Sequence, residues 1–376
     1  METKTLQGLL EQHLPKVREH IKLPVYQHKA LDRLSVCRTQ ALGGHTQYCP
    51  NGHVNGIWYN SCKHRACPQC QGLASEEWLR NTQSILLNCP HHHVIFTIPE
   101  ALNKLWQYNR EFMTGVLFKA VQETLREFAN DPKYLGATPG ILSVLHTWGR
   151  NLSLHPHIHV LISHGGLDAK GQWVEPKKGS LFPQKPVMMV FRGKLLATLK
   201  KALEQEKLVL PKGEMTHKVK AMLNQQGRKD WVVHFCKRYD HARGVAKYLA
   251  RYVKGGPFRN QQIKSTNESH LTFSYQSHQT GRKEKLTISY EAFVQRFMQH
   301  IPLPRKQSTR YSGLYTSVQR EKLNVARKQL RQKPVPKRLE LDWSSYLEEK
   351  GFRPACSTCG LPIYHGEAIE KLKQIH

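Results

Sequence analysis

Three histidines lie close together in the segment His155-Pro156-His157-Ile158-His159. Because side chains alternate between the two faces of a β-strand, His157 and His159 should point the same way, about 7 Å apart along the backbone. Two imidazoles in this arrangement can bind one divalent cation and leave coordination positions for substrate oxygens. His155 lies on the same face by parity and is a candidate third ligand. The alternative is that the pair only reflects a high histidine content, 22 in 376 residues.

A pair of tyrosines lies in a basic segment with a helical pattern, RGVAKYLARYVKGG. Tyr248 and Tyr252 are four residues apart, so they share one helix face and can reach a common site. A tyrosine hydroxyl, with a pKa of about 10, is a poor nucleophile unless a cation assists it. A metal-polarised phosphate beside basic side chains provides that assistance, whereas the alternative is ordinary aromatic packing. The basic residues predicted to bind DNA here are Arg243, Lys247, Arg251 and Lys254.

Cysteines are concentrated in the first quarter of the chain, with six of the nine within residues 37–89. Two ligand pairs, Cys49-x3-His53 and Cys67-x2-Cys70, are separated by thirteen residues. Two short-spaced pairs that bracket a loop are typical of a closed, tetrahedral, structural zinc site. We therefore predict one structural Zn²⁺ bound by these four side chains.

Other residues leave the zinc ligand set open. Alternative ligands, to the same ion or to a second one, are Cys62, His64 and Cys37. The pair Cys356-x2-Cys359 forms only half of a site and is explained equally well as two unliganded thiols. In a reducing compartment, cysteines at such spacings are expected to bind metal rather than form disulfides.

The charge balance points to a polyanionic partner. Lys and Arg total 57 against 28 Asp and Glu, a net charge of +29, whereas solubility alone requires a net charge of about 2–8. Nucleic acid is the first candidate. Residues 305–338 hold eleven basic residues and one acid, with Tyr311 and Tyr315 among them. This pattern predicts a channel for single-stranded DNA rather than a solvated helix face. The DNA-binding residues predicted here are Arg305, Lys306 and Arg310.

Several classes of protein are excluded by composition. No apolar run approaches the roughly 20 residues that a membrane helix needs, and the segment METKTLQGLLEQHLPK lacks the apolar core and cleavage site of a secretory signal. We therefore expect a cytoplasmic protein with no membrane partner. Hydrophobic residues make up 39% of the chain, with 7 Trp, 14 Tyr and 12 Phe, which excludes general disorder.

The elements that must position these residues alternate between helical and strand periodicity, which favours an α+β fold. Helices are predicted in the first 45 residues and at 74–88, 100–128, 193–206, 214–226, 240–254 and 291–299. Strands are predicted at 92–98, 141–148, 154–163, 231–235, 270–275 and 285–290, and VMMVF as a strand or strand-to-helix junction. Residues 45–71 are expected to form a metal-organised loop. The domains expected are 1–90 with the zinc-binding module, 91–304 with the catalytic residues, and a basic segment at 305–376.

Taken together, these motifs resemble one family of enzymes. TWGRNLSLHPHIHVLISHGG, followed about 85 residues later by YLARY, resembles the rolling-circle insertion-sequence transposases of the HUH endonuclease superfamily, the two-tyrosine kind. FTIPEALN, FRGKLL and RYSGLY are also similar to that family, and the likeness extends over roughly residues 30–330. The family opens with a zinc-binding module in which a histidine usually precedes CPxC, where this chain has Ala66.

The resemblance implies a fold and a mechanism. The fold is an RRM-like antiparallel sheet with helices on one side. The activity is nicking and rejoining of single-stranded DNA through a 5′-phosphotyrosine link that leaves a free 3′-hydroxyl. The resemblance also implies that His157 and His159 bind Mg²⁺ or Mn²⁺ and that Tyr248 and Tyr252 are the nucleophiles. The second tyrosine would cut a further strand while the first phosphotyrosine link persists.

Two other functions remain open at this stage. A non-catalytic zinc-ribbon regulator that binds DNA would account for the charge and the cysteines, but it would leave HPHIH and YLARY as accidents. A replication initiator or plasmid relaxase would use the same HUH chemistry. The sequence indicates neither the DNA ends that are recognised nor an oligomeric state.

Overall fold

The computed structural model describes residues 5–372, except residues 71, 178, 241–243, 245, 248–252, 254–255 and 278–279. None of its described helices is long and apolar enough to cross a membrane. The helices with described bounds are α1 (Leu6–His20), α2 (Val25–Ser35), α3 (Gly72–Ile85), α4 (Asn103–Tyr108), α5 (Arg110–Asn130), α6 (Gln184–Glu204), α7 (Thr216–Gly227), α8 (Tyr290–Met298), α9 (Arg320–Gln329) and α10 (Trp343–Glu349).

The strands form three sheets in which all pairs of neighbours are antiparallel. In chain order they are β1 (Gly44–Tyr48), β2 (Val54–Tyr59), β3 (His91–Thr97), β4 (Thr138–Trp148), β5 (Leu154–Leu167), β6 (Trp173–Val174), β7 (Val233–Phe235), β8 (Ile263–Thr266), β9 (His270–Gln276), β10 (Lys283–Ser289), β11 (Thr309–Gly313) and β12 (Tyr364–Ile369). This mixture of helices and antiparallel sheets confirms the predicted α+β class.

The largest sheet has the strand order β11-β4-β5-β3-β7, and β6 pairs with the end of β5. Alternation along β5 gives the sheet two different faces. Ile158, Val160 and Ile162 pack into a core with apolar side chains of α5 and α6. The intervening residues His157 and His159 therefore lie on the opposite face. Helices α5 and α6 cover one face, and α9 packs on part of the other face, which carries the histidine pair, so helices lie on both sides of this sheet rather than on one as the resemblance implied.

Two predicted elements differ from the structure. VMMVF is part of α6 rather than a strand or a junction, because its buried side chains continue the helical core-facing pattern of that helix. The helix predicted over 100–128 is interrupted at Asn109. The Asn109 amide donates to the carbonyls of Leu105 and Val209, and its oxygen accepts from the Val209 N–H. The Asn109 side chain thus ties the break between α4 and α5 to residue 209 through two long-range hydrogen bonds.

The N-terminal helices pack on the second sheet, which has the order β10-β9-β8. The Thr5 hydroxyl caps α1 by accepting from the Gly8 N–H. The buried leucines of α1 and α2 share a core with Phe258, Phe273 and Phe293. Residues beyond position 250 therefore contribute to the folding of the first 35 residues.

The third sheet, with the order β12-β1-β2, lies where a loop was predicted for residues 45–71. A hairpin of β1 and β2 occupies most of that segment, and β12 from the far end of the chain completes the sheet. Contacts therefore cross both expected domain boundaries, since β11 also pairs with β4 of the largest sheet. The boundaries at residues 90 and 304 remain predictions.

Candidate active site and metal centres

Three histidines converge on the face of the largest sheet opposite α5 and α6. The Nε2 atoms of His157 and His159 are 3.1 Å apart, and both side chains are buried. His146 on β4 lies directly opposite His157. The ligand atoms of all three lie within 4.8 Å of one another. We refer to His146, His157 and His159 as the histidine cluster.

The second ring nitrogens of the histidine pair are held by other groups. The His157 Nδ1–H donates to the carbonyl of His155 over 2.6 Å, which directs Nε2 into the cluster. The Nδ1 of His159 is 2.8 Å from the Nε2 of His93 on β3. Hydrogen bonds at the far nitrogen fix the tautomer and orientation of histidines that bind metals. Both rings are therefore oriented so that their Nε2 atoms meet.

Burial favours the neutral form of two histidines of the cluster. Desolvation lowers the pKa values of His146 and His159 well below 6.5, and the neighbouring histidines lower them further. The same effect lowers the pKa of His93 to about 4. Neutral imidazole is the form that binds a metal, so these side chains are suited to bind a cation at neutral pH.

The third histidine differs from the one that parity indicated. His155 is exposed, and its ring centre is 5.0 Å from that of His157. The third position of the histidine cluster is instead filled by His146, which the sequence analysis did not single out. The available signal was the segment LHTW in a strand adjacent to HPHIH, which makes a histidine opposite the pair a candidate.

The segment that carries the tyrosine pair is described only in part. Tyr248, Tyr252, Arg243, Arg251 and Lys254 lie outside the described residues.

Among the described positions of this segment, Gly244, Ala246, Lys247 and Val253 are helical, and Lys247 is exposed. Ala246 is fully buried in an apolar cluster with Leu142, Val144 and Leu161, all of which belong to the histidine-bearing face. This part of the segment thus packs against the face that carries the histidine cluster.

Four cysteines form a compact group in the N-terminal region. The Sγ atom of Cys37 is 3.3 Å from that of Cys70 and 3.5 Å from that of Cys67, and Cys62 is 3.6 Å from Cys70. These distances exceed the 2.05 Å of a disulfide and are close to the roughly 3.8 Å expected for sulfurs around a tetrahedral zinc ion. This four-cysteine cluster can hold a structural zinc ion.

The predicted zinc ligands do not come together around one ion. Cys67 and Cys70 belong to the four-cysteine cluster, whereas Cys49 and His53 belong to a separate group with two cysteines of the C-terminal region. The prediction of one site from these four residues is therefore corrected. Two of the alternative ligands, Cys62 and Cys37, complete the four-cysteine cluster.

Known proteins are similar in sequence to most of this chain. A family model described as a transposase zinc-binding domain matches residues 9–98, and one described as a putative transposase matches residues 140–322. A putative transposase of Sinorhizobium fredii is 33% identical over 309 residues, covering 81% of this chain and 78% of the relative. The chain belongs to the IS91-type transposase family. The transposase of insertion sequence element IS801 from Pseudomonas savastanoi pv. phaseolicola is 29% identical over 354 residues, covering 92% of this chain and 84% of that protein.

The family matches coincide with the two groups of candidate ligands. The zinc-binding domain spans the whole four-cysteine cluster, and the transposase match spans the histidine cluster and the tyrosine segment. The resemblance to an insertion-sequence transposase with an N-terminal zinc-binding module is thereby confirmed.

A cleft of the transposase that is lined by basic side chains shares Trp148 with the surroundings of the histidine cluster. The Trp148 ring stacks on His146 at 5.1 Å and forms part of the cleft wall. The basic side chains that line the same cleft are Arg65, Arg110 and Lys306. Val253 of the tyrosine segment also lines it. Burial lowers the pKa values of Arg65 and Arg110. The cleft thus combines an aromatic ring with cationic groups; its described lining includes none of the three cluster histidines and meets them only through Trp148.

The predicted DNA-binding residues of the transposase are not all at this cleft. Lys306 lines it, and its ammonium group forms an ion pair with Glu111 at 2.6 Å. Arg305 is exposed. Arg310 lies opposite Ser143, on the α5-facing side of the sheet, and its guanidinium group packs over the Phe118 ring.

The tyrosines of the basic segment do not form a stacking surface for bases. Tyr315 is only 3% exposed, and its hydroxyl is 2.6 Å from the Nε2 of His91. The Tyr311 hydroxyl bonds to that of Thr82 at 2.9 Å, and burial raises its pKa. Both rings pack beside α3 and α9, which corrects the interpretation of these tyrosines as part of a DNA channel.

Proposed function

We propose that this transposase nicks and rejoins single-stranded DNA through a 5′-phosphotyrosine intermediate during rolling-circle transposition. The observation that carries the proposal is the histidine cluster, which is buried and oriented and is linked through Trp148 to a cleft lined by basic side chains. A non-catalytic zinc-ribbon regulator would have no use for such a cluster. The transposase matches favour an element-mobilising enzyme over a replication initiator.

The donor set of the cluster fits a divalent cation. Two ligands bound about 2.1 Å from an octahedral ion are about 3.0 Å apart, close to the 3.1 Å between the two Nε2 atoms. His157 and His159, with His146 beside them, would hold Mg²⁺ or Mn²⁺. The ion would polarise the scissile phosphate and neutralise charge that develops on it.

The chain's own residues would perform the strand transfer. The hydroxyl oxygen of Tyr248 or Tyr252 forms a bond to phosphorus and loses its proton, while the bond from phosphorus to O3′ breaks and that oxygen leaves as a 3′-hydroxyl. Rejoining is the reverse reaction with a new 3′-hydroxyl. The cleft cations Arg65, Arg110 and Lys306 bind the DNA backbone through its phosphates.

Covalent capture of DNA tests the proposal. Labelled single strands from the ends of the element are incubated with the full chain and Mn²⁺, and denaturing electrophoresis detects a protein–DNA adduct. Tyr248→Phe/Tyr252→Phe should abolish the adduct, because only the two hydroxyls are removed. Tyr239→Phe, at an exposed tyrosine in the described region, is the matched control and should retain it. An adduct formed by the double variant would overturn the assignment of these nucleophiles.

A further inference from the structure

A second group of metal-binding side chains joins the two ends of the chain. The Sγ of Cys49 is 3.5 Å from the Nδ1 of His53 and 3.5 Å from the Sγ of Cys359. Cys356 Sγ is 3.7 Å from the same His53 nitrogen. All four ligand atoms lie within 4.8 Å of one another. We refer to these four residues as the hairpin–tail cluster.

The two halves of this cluster come from tight turns with zinc-ligand spacing. The Cys49 N–H donates to the His53 carbonyl, and Gly52 N–H donates to the Cys49 carbonyl, so the turn after β1 brings the first pair together. The second turn is closed by a bond from the Gly360 N–H to the Cys356 carbonyl. Cys-x3-His and Cys-x2-Cys are both spacings that place two ligands on one ion.

The donor types select the metal. Three thiols and one imidazole form a soft set without an oxygen donor, which favours Zn²⁺ and disfavours Mg²⁺. Four protein ligands complete a tetrahedral shell, so the site would have no position for substrate and its role would be structural. The separation of 3.5 Å between the Cys49 and Cys359 sulfurs is too long for a disulfide.

The sheet around the cluster needs such a crosslink. β12 pairs with β1 from Gly44 opposite Ile369 to Tyr48 opposite Tyr364. Within the described part of the chain, no residue of β1, β2 or β12 belongs to an apolar core cluster. Trp58 of β2 and Tyr364 of β12 are 48% and 52% exposed. A small sheet that buries so little apolar surface commonly depends on a metal.

We propose that Cys49, His53, Cys356 and Cys359 form a second structural zinc site, which fastens the C-terminal segment to the N-terminal hairpin. Cys356 and Cys359 lie outside the residues that match the transposase zinc-binding domain. The site is separate from the four-cysteine cluster, with which it shares no ligand. Independent contacts agree with this attachment, since the Ser357 N–H donates to the Asn55 side chain at 3.0 Å.

The attachment also holds the segment that connects the basic helix α9 to Cys356. Arg80 of α3 forms an ion pair with Glu349 of α10, and the Leu339 N–H donates to the Asn81 side chain. These surface contacts are individually weak. The hairpin–tail cluster would therefore be the main anchor for residues 340–369 over the N-terminal region.

Zinc stoichiometry of the full chain tests the proposal. Elemental analysis of protein purified without chelator should give two zinc ions per chain, and Cys356→Ser/Cys359→Ser should give one. Cys62→Ser/Cys67→Ser should also lose one ion, because it disrupts only the four-cysteine cluster. Cys236→Ser, at a cysteine that belongs to neither cluster, is the matched control and should retain two. One ion in the unaltered protein, or two in Cys356→Ser/Cys359→Ser, would overturn the proposal.

Limited proteolysis supplies a readout that does not depend on activity. Loss of the second ion should expose residues 340–369, so that Cys356→Ser/Cys359→Ser releases a C-terminal fragment at least about tenfold faster than Cys236→Ser. The remaining zinc ion in that variant shows that its N-terminal region is folded. An unchanged cleavage rate together with loss of one ion would contradict the fastening role.

Discussion

His146 and His157 lie directly opposite each other on neighbouring antiparallel strands. A β-bulge in the pairing of β4 with β5 causes this arrangement. Trp148 pairs with Leu154, so a regular register would place His146 opposite Pro156. Since a shift of one residue moves a side chain to the other face of a sheet, the bulge between His146 and Trp148 brings the His146 ring to the face of His157. The composition of the histidine cluster thus depends on strand register as well as on sequence.

We predict that His146→Ala lowers the rate of single-strand cleavage by at least about 100-fold, as expected for loss of a metal ligand. The affinity for DNA should change by less than about twofold, because phosphate contacts carry most of it. Single-turnover cleavage and fluorescence anisotropy measure the two effects. His155→Ala, at the exposed histidine of the same strand pair, should cleave normally. Normal cleavage by His146→Ala would exclude it from the site.

His93 should act by orienting His159. His93→Ala is expected to reduce cleavage by about 10- to 100-fold and to raise the Mn²⁺ concentration needed for half-maximal rate, as do changes behind a metal ligand. The control is His164→Ala, since His164 forms a similar contact of 2.7 Å with His92 away from the cluster. A manganese titration that matches the unaltered protein would contradict the positioning role.

A glycine at the end of the tyrosine segment touches the four-cysteine cluster's loop. Gly256 has φ +67°, and a Cβ there would lie 2.8 Å from the Ala66 carbonyl oxygen. Gly281 has φ +66° with open space around it. Both Gly→Ala changes incur the left-handed cost of about 1–2 kcal/mol, but only Gly256→Ala forces the segment away from Ala66. Gly256→Ala should therefore lower cleavage more than its effect on the free energy of unfolding explains, whereas Gly281→Ala should leave cleavage unchanged. Equal cleavage by the two variants would show that this close contact is unimportant.

Lys306 at the cleft should contribute to the salt dependence of binding. Lys306→Ala is expected to reduce the slope of log K against log salt by about 0.7, the value for one phosphate contact on a single strand. Arg310→Ala is the matched control, because Arg310 is not among the residues that line the cleft and its guanidinium group packs over the Phe118 ring. Both slopes are measured by fluorescence anisotropy over a salt range of about 50 to 200 mM. A larger change for Arg310→Ala would place the DNA outside this cleft.

The two kinds of metal centre should respond differently to chelation. A brief EDTA treatment should abolish cleavage, and added Mg²⁺ should restore it, because a site of imidazoles and phosphate oxygens exchanges readily. Zinc in closed, thiolate-rich clusters should remain bound. Cleavage and zinc content are measured on the same sample. Activity that returns only when Zn²⁺ is added would contradict an Mg²⁺ or Mn²⁺ role at the histidine cluster.

The sequence was informative where chemistry follows from local spacing. Side chains two apart on a strand share a face, so the geometry of His157 and His159 could be predicted from HPHIH alone. The neighbouring His146 could not, because its facing depends on a bulge that spacing does not reveal. Local spacing also identified Cys67 and Cys70 as a pair. It could not assign their partners, since ligands to one ion are selected by tertiary structure.

Long-range contacts also explain the other corrections. Cys359 meets Cys49 across 310 positions of sequence, so each half of the hairpin–tail cluster looks incomplete by itself. Tyr315 lies in a segment whose charge indicates exposure, yet its ring is buried, because β11 joins the largest sheet immediately before it. The high charge of residues 305–338 predicted their exposed side chains correctly, but it gave no sign of the apolar side chains that this segment buries.

The pairing of β12 with β1 has a consequence for the order in which the protein is made. The ribosome synthesises residues 364–369 more than 300 positions after residues 44–48, so the third sheet can close only after the transposase has been translated through residue 369. A chain that stops before residue 356 would have the histidine cluster, the tyrosine segment and the four-cysteine cluster but an open hairpin. Termination before residue 356 would therefore yield a protease-sensitive product, and the closed sheet would distinguish chains that extend through residue 369 from shorter ones.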